Sequence, residues 1–270
     1  MPLDPRDRGL AYGDGVFETV RVAASGEPPL WPRHRARLAA GLQALGIPLP
    51  DPFRLDAALN EGITALCGEA GVVKLTVTRG VGGRGYLPPS SAKPTVLWQS
   101  GALPAWSERH RREGLVLGLC QTPLYPDPLA GFKHLNRLPQ VMARREVARQ
   151  GWDEGLLLNT RRQPLEATAM NLFVRFADHW WMPDLAAAET GVAGVMRAHL
   201  YDTLRQRGEK VVCDLRPLSQ LRTAEGLFLC NSVVGVLAVR KLAQWHWPVL
   251  TSVRKLQQST ETFLAGSLKG

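Results

Sequence analysis

The segment Gly131-Phe132-Lys133-His134-Leu135-Asn136-Arg137-Leu138 follows a proline-punctuated loop, Leu124 to Leu129, and sets one lysine at the junction of loop and helix. From Asn136 onward the apolar spacing of Leu138, Val141, Met142 and Val147, with Arg144, Arg145, Glu146 and Arg149 between, predicts an amphipathic helix closed by Gly151. Lys133 is therefore expected at a fixed point and not on a solvated face. Desolvation disfavours the charged form of a lysine, and the neutral amine is a Schiff-base nucleophile or general base. Taken alone, an ordinary surface lysine fits the same letters. The other lysines shift that balance. Lys74 alternates outward in a strand, Lys93 precedes a proline, Lys210 lies in a turn, and Lys241, Lys255 and Lys269 follow a strand, sit on a polar helix face and end the chain.

Working outward, 270 residues with 45% hydrophobic and 21% charged content suffice for one large domain or two modest ones. No apolar run is long enough for a membrane span, and the opening MPLDPRDRGLAYGDG has no signal-peptide core, so a cytoplasmic protein without membrane contact is expected. Cys67, Cys120, Cys213 and Cys230 form no C-x-x-C pair, which argues against a metal cage or a disulfide framework. The net charge of +9 comes mainly from dispersed arginine. It fits solubility first and a small anionic ligand second; no RNA-binding or helix-turn-helix signature supports a nucleic-acid partner.

Upstream, Gly15 to Ala24 is β-rich, and Ser25-Gly26-Glu27 followed by Pro29-Leu30-Trp31 reads as the turn and return of a hairpin. Pro32 opens a helix with Leu38, Leu42 and Leu45 inward and Arg33, His34, Arg35 and Arg37 near its start; a second follows the cap Asp51-Pro52. Val72 to Thr78 alternates as a half-buried strand and feeds the glycine loop Arg79 to Tyr86, in which Arg84 offers a carboxylate-binding fork. Another strand spans Pro94 to Trp98, and the stretch between Gly101 and Gly114 shows neither period, which predicts an interdomain connection.

Downstream, Gly155 to Leu158 is a buried strand, and Pro164 to Phe173 places Glu166 and Asn171 between apolar strand ends. The loop Thr190 to Arg197 opens a helix whose first N–H groups suit an anion, although an uncomplicated N-cap fits as well. Strands are expected near Lys210 to Leu215, Leu227 to Leu229 and Val234 to Val239, with the turn Cys230-Asn231-Ser232-Val233, and a terminal helix from Thr251 to Leu264.

Taken together, YGDGVFET, HRARL, RGVGGRGY, KHLNRL, LEATAMNLF, GVAGVMR and CNSV resemble the fold-type IV pyridoxal-phosphate enzymes, the superfamily of the branched-chain and D-amino acid aminotransferases. The likeness spans Arg8 to about Arg240, and KHLNRL with GGRGY is its specific part. It implies an α+β fold in two domains, with residues 1–105 as a small N-terminal α/β sheet domain, 106–113 as the connection, and 114–270 as a larger barrel-like β domain with helices. It implies pyridoxal 5'-phosphate between the two, held covalently by Lys133. Glu166 would pair with the pyridine nitrogen, and Arg37, Asn171, Val195, Met196, Ser232 and Val233 would complete the cofactor site. Tyr12, Arg84, Tyr86 and Arg137 would bind substrate. The motifs are most similar to the lyase branch, which implies conversion of 4-amino-4-deoxychorismate to 4-aminobenzoate and pyruvate by a homodimer. The alternative is an aminotransferase acting on D-amino or branched-chain amino acids.

Overall fold

The computed structural model describes residues 3–266; Lys269 and the first two residues of the opening lie outside the described residues. Its contacts divide the chain into two compact units. Residues 3–103, 132–136 and 264–266 form the first, and residues 104–131 and 137–263 the second. The two returning segments in the first unit have no place in a linear division at 105 and 113.

The first unit begins with a short helix α1 (Arg8–Tyr12) that Asp7 caps and Gly13 ends in the left-handed conformation. β1 (Gly15–Val22), α2 (Trp31–Ala44), α3 (Pro52–Thr64), β2 (Gly71–Thr78) and β3 (Thr95–Ala102) follow. The strands form one antiparallel sheet in the order β1-β2-β3. Alternation sends Val73, Leu75 and Val77 of β2 to full burial against Leu38 and Leu42 of α2 and Leu55 and Leu59 of α3. The expected hairpin does not form: β1 pairs with β2, from Gly15 opposite Thr78 to Val22 opposite Gly71. Pro28, Pro29 and Pro32 carry no N–H for a ladder, and Trp31 already starts α2.

The key lysine is held in this unit by β1. Phe17 N–H donates to the Lys133 carbonyl at 2.9 Å, Leu135 N–H donates to the Gly15 carbonyl at 3.0 Å, and Val16 bridges His134. Residues 132–136 are thus an extended piece laid along the strand.

The second unit contains α4 (Glu108–Glu113), β4 (Leu115–Leu119), α5 (Leu138–Gln150), β5 (Glu154–Leu158), β6 (Pro164–Ala167), β7 (Asn171–Arg175) and β8 (Trp180–Pro183). Then come α6 (Val195–Gln206), β9 (Val211–Asp214), a 3-10 turn, β10 (Gly226–Asn231), β11 (Gly235–Leu242), β12 (Trp245–His246) and α7 (Thr251–Leu264). Strands β10, β11, β4, β5, β6 and β7 pair in that order, and β7 returns to β10, closing a barrel. Leu117, Leu156, Leu172, Leu229 and Leu237 fill it. The stretch expected as a plain connection holds α4, because Ser107 Oγ caps it through His110 N–H and Glu108 complements its first turn.

Helix α5 departs from its expected face. It starts at Leu138, two residues late, and packs through Ala143 and Val147 against Leu157 and Leu165. Leu138, Val141 and Met142 are left 74%, 51% and 51% exposed. Periodicity identified the helix, but the narrow Ala143–Val147 stripe, one full turn apart, is what meets the barrel. No helix among the described residues is long and apolar enough to cross a membrane.

Candidate active site

In the first unit the site starts from Lys133. Its Nζ lies 4.5 Å from the centre of the Phe17 ring, close enough for a cation–π contact when the amine is protonated. Residue 17 therefore fixes the lysine twice, by its backbone N–H and by its ring. Glu18, one residue on, points the other way, onto the face shared by Val16 and Val20, and is almost wholly buried. A carboxylate there needs partners, and it has them. His34 Nδ1 is 2.6 Å from Glu18 Oε2, Arg37 Nε donates to Oε1 at 2.7 Å, and Arg37 Nη2 donates to Oε2. Burial by itself would raise the Glu18 pKa, but the hydrogen bonds from His34 and Arg37 outweigh it and hold the carboxyl below its ordinary value. Burial lowers His34, with the charges of Arg37 and Lys133 acting in the same direction and Glu18 against. The imidazole is then neutral, with Nδ1–H donating to Glu18. Its Nε2 is buried and has no hydrogen-bond partner.

The glycine loop after β2 is also anchored here. Arg79 is engaged within the unit: it donates to Asp14 and to the carbonyls of Leu45 and Gly46, all within 3.0 Å. Arg84 is exposed and Tyr86 is 86% exposed, with the Tyr86 ring 5.5 Å from that of Tyr12. The structure thus brings Tyr12 and Tyr86 together.

In the second unit Glu166 and Asn171 face each other as the register pair of β6 and β7, both buried. Glu166 Oε2 accepts from Val192 N–H at 2.9 Å, and Asn171 Nδ2 donates to the Val192 carbonyl at 2.9 Å. One loop residue is gripped from both sides. Gly191 has φ of +92°, which favours glycine, and a Cβ on Gly194 would stand 1.9 Å from Asn171 Oδ1. Gly194 is the N-cap of α6 and makes no side-chain cap bond, so Val195 and Met196 present an uncapped helix start. Ser232 and Val233 lie in the turn between β10 and β11, where Asn231 Oδ1 accepts from the N–H groups of Val233 and Val234 at 2.9 Å. Arg137 is the residue before α5.

The sequence reading missed Phe17, Glu18, His34, Arg8 and Asp14. A signal for Glu18 was present, since strand alternation puts it between Val16 and Val20 on the buried face. The pairing of residues 132–136 with β1 is non-local and left no such signal.

In the first unit a lysine-bearing segment lies along β1, and in the second a buried carboxylate lies beside a glycine loop and an uncapped helix start. The chain belongs to the family Amino-transferase class IV, whose pattern matches residues 15–242. It is 34% identical to the aminodeoxychorismate lyase of Vibrio harveyi over 267 residues, covering 95% of this chain and 94% of that one. A solved 4-amino-4-deoxychorismate lyase from Pseudomonas aeruginosa is 44% identical, with a TM-score of 0.91 and coverage of 98% and 96% of the two chains. A hypothetical aminotransferase from Mycobacterium tuberculosis, solved in a pyridoxal-phosphate-bound form, shares the fold at 21% identity, with a TM-score of 0.84 and coverage of 99% and 95%.

Proposed function

We propose that this chain is a pyridoxal-phosphate-dependent aminodeoxychorismate lyase, converting 4-amino-4-deoxychorismate to 4-aminobenzoate and pyruvate for folate synthesis. The observation that carries the reading is the full-length likeness to the Vibrio and Pseudomonas lyases. The residues fit the cofactor. His34 Nε2 is a buried polar atom without a partner beside Arg37, α6 begins uncapped, and Glu166 is a buried carboxylate. In this reading Lys133 holds the aldehyde carbon, Glu166 keeps the ring nitrogen protonated, and Arg37, Asn171, Val195, Met196, Ser232 and Val233 hold the phosphate and its surroundings. When bound, the cofactor supplies an electron sink next to the reacting carbon.

The chain's own residues then divide the work. Lys133 Nζ would act as the general base that removes the proton from the carbon bearing nitrogen. The ammonium that results would lie over the Phe17 ring, whose centre is 4.5 Å from Nζ. The bond from the neighbouring carbon to the enolpyruvyl oxygen breaks, the ring becomes aromatic, and the departing enolpyruvate takes up a proton to become pyruvate. Arg84, with Tyr12, Tyr86 and Arg137, binds the dianionic substrate; a guanidinium offers a carboxylate a two-bond fork. With aminodeoxychorismate as the only organic substrate, the purified protein should yield 4-aminobenzoate and pyruvate. Failure to form the aromatic amine would refute the reading.

The same reading makes the enzyme a cytoplasmic homodimer. Four free cysteines suit a reducing compartment. The exposed Leu138, Val141 and Met142 on α5 suit cover by a second copy. Sedimentation at micromolar concentration should show a dimer, and a fully active monomer would contradict it.

A further inference from the structure

We propose that Arg8 is a positioning residue for substrate recognition: its guanidinium holds the loop after β2 in the shape in which Arg84 and Tyr86 meet the substrate, without touching substrate itself. This rests on the lyase reading above. Helix α1 is fixed to the sheet. Asp7, fully buried, accepts from Gly9 N–H through Oδ1, and its Oδ2 accepts from the Thr78 and Thr95 hydroxyls at 2.9 and 2.8 Å. Arg8 therefore projects from a rigid point, and its donors divide three ways. Nε donates to Asp14 Oδ2 at 2.9 Å, Nη1 to the Gly85 carbonyl at 3.0 Å and Nη2 to the Tyr86 carbonyl at 2.8 Å. The guanidinium also lies 4.8 Å from the centre of the Tyr12 ring, which meets Tyr86.

Among the described residues, no other hydrogen bond reaches residues 83–94. Beyond Gly82 the loop owes its polar anchoring to one side chain. Asp14 is shared with Arg79, and the two guanidinium groups outweigh the effect of burial to keep its carboxyl below the ordinary range. The charge of Arg8 is thus balanced inside the unit, and what it adds to the loop is geometry. A lysine could keep the charge but not three donors in one plane.

Two variants test this from opposite sides. Arg8→Lys removes the fork. Gly82→Ala removes no charged group, but its Cβ would stand 2.5 Å from Arg8 Cδ and displace that side chain. For either variant, KM for aminodeoxychorismate should rise about tenfold or more while kcat stays within about threefold, the pattern of lost binding without lost chemistry. Cofactor affinity should be unchanged, and limited trypsin cleavage after Arg84 should be faster. In an Arg84→Ala background, Arg8→Lys should add nothing further to KM, because the two act through one contact. Additive effects, or faster cleavage with unchanged KM, would overturn the proposal and leave Arg8 a structural anchor. Absence of turnover by the unmodified enzyme would overturn the reading beneath it. The two failures are distinguishable, since the cleavage rate reports on the loop in either case.

Discussion

Lys133 is anchored through its backbone to β1, so replacing it with alanine deletes the amine and leaves the Phe17–Lys133 backbone bond in place. Lys133→Ala should lower turnover by at least about 10³-fold, the range lost with a nucleophile that is also the general base. Borohydride reduction and peptide mapping of the unmodified protein should find the cofactor on Lys133; attachment to Lys74 or Lys241 would sink the assignment. The neighbouring Glu18–His34 pair makes a separate claim about pH. Both groups have folded pKa values depressed below their unfolded ones. The unfolded chain therefore binds protons in acid that the native chain does not. His34's contribution to stability is whole above about pH 6.5 and is lost as pH falls through its lower folded value; Glu18's is whole above about pH 4.3 and is lost below. The unfolding temperature should start to drop below about pH 6.5, and an NMR titration should place the His34 midpoint under that value. A midpoint above it would mean an imidazolium paired with Glu18.

Elements were legible in proportion to how local their causes are. The caps and prolines at Asp51-Pro52 and the alternation in β2 act within a few residues, and α3 and β2 stand where those signals put them. The hairpin is absent because the prolines after the turn have no N–H to donate to a ladder and Trp31 already begins α2. Helix α1 was missed because its five residues show no period, and its support, Asp7 against Thr78 and Thr95, comes from far along the chain. The start of α6 is the element whose legibility matters most. Its glycines were visible, but the need for Gly194 is tertiary, since Asn171 Oδ1 occupies the space a methyl would take. Gly194→Ala should push Asn171 off the Val192 carbonyl and destabilise the protein by about 1–3 kcal/mol, as overpacking does. If this helix start holds the phosphate, cofactor affinity should fall as well. Thermal unfolding with and without added cofactor separates the two effects, and an unchanged unfolding temperature would show that the site relaxes around the methyl.

At the scale of the whole molecule, the fold was readable because the motifs that carry the family likeness are spread along most of the chain. The reaction was less readable, because the roles proposed for Lys133, Glu166 and Arg37 would serve a lyase and an aminotransferase equally. In the proposed roles both reactions would begin when Lys133 removes a proton from the carbon bearing nitrogen, so no variant of these residues tells them apart. What happens to the electrons afterwards does. In a transaminase the proton returns to the cofactor side and the amine stays on the enzyme, so each active site stalls after one turnover until a keto acid carries the amine away. In a lyase the enolpyruvyl group leaves, the aromatic amine departs with its nitrogen, and Lys133 regains its original partner without any second substrate. Aminodeoxychorismate alone should therefore support many turnovers, with 4-aminobenzoate and pyruvate formed in equal amounts and in large excess over enzyme. Exchange between D-alanine and 2-oxoglutarate should be weak or absent. The measurement is product per active site against time with no keto acid added. Because pyruvate is itself a keto acid, lactate dehydrogenase and reduced nicotinamide should be present to remove it. Linear formation beyond one equivalent supports the lyase; a plateau at one equivalent, relieved by 2-oxoglutarate, would assign the chain to the aminotransferases.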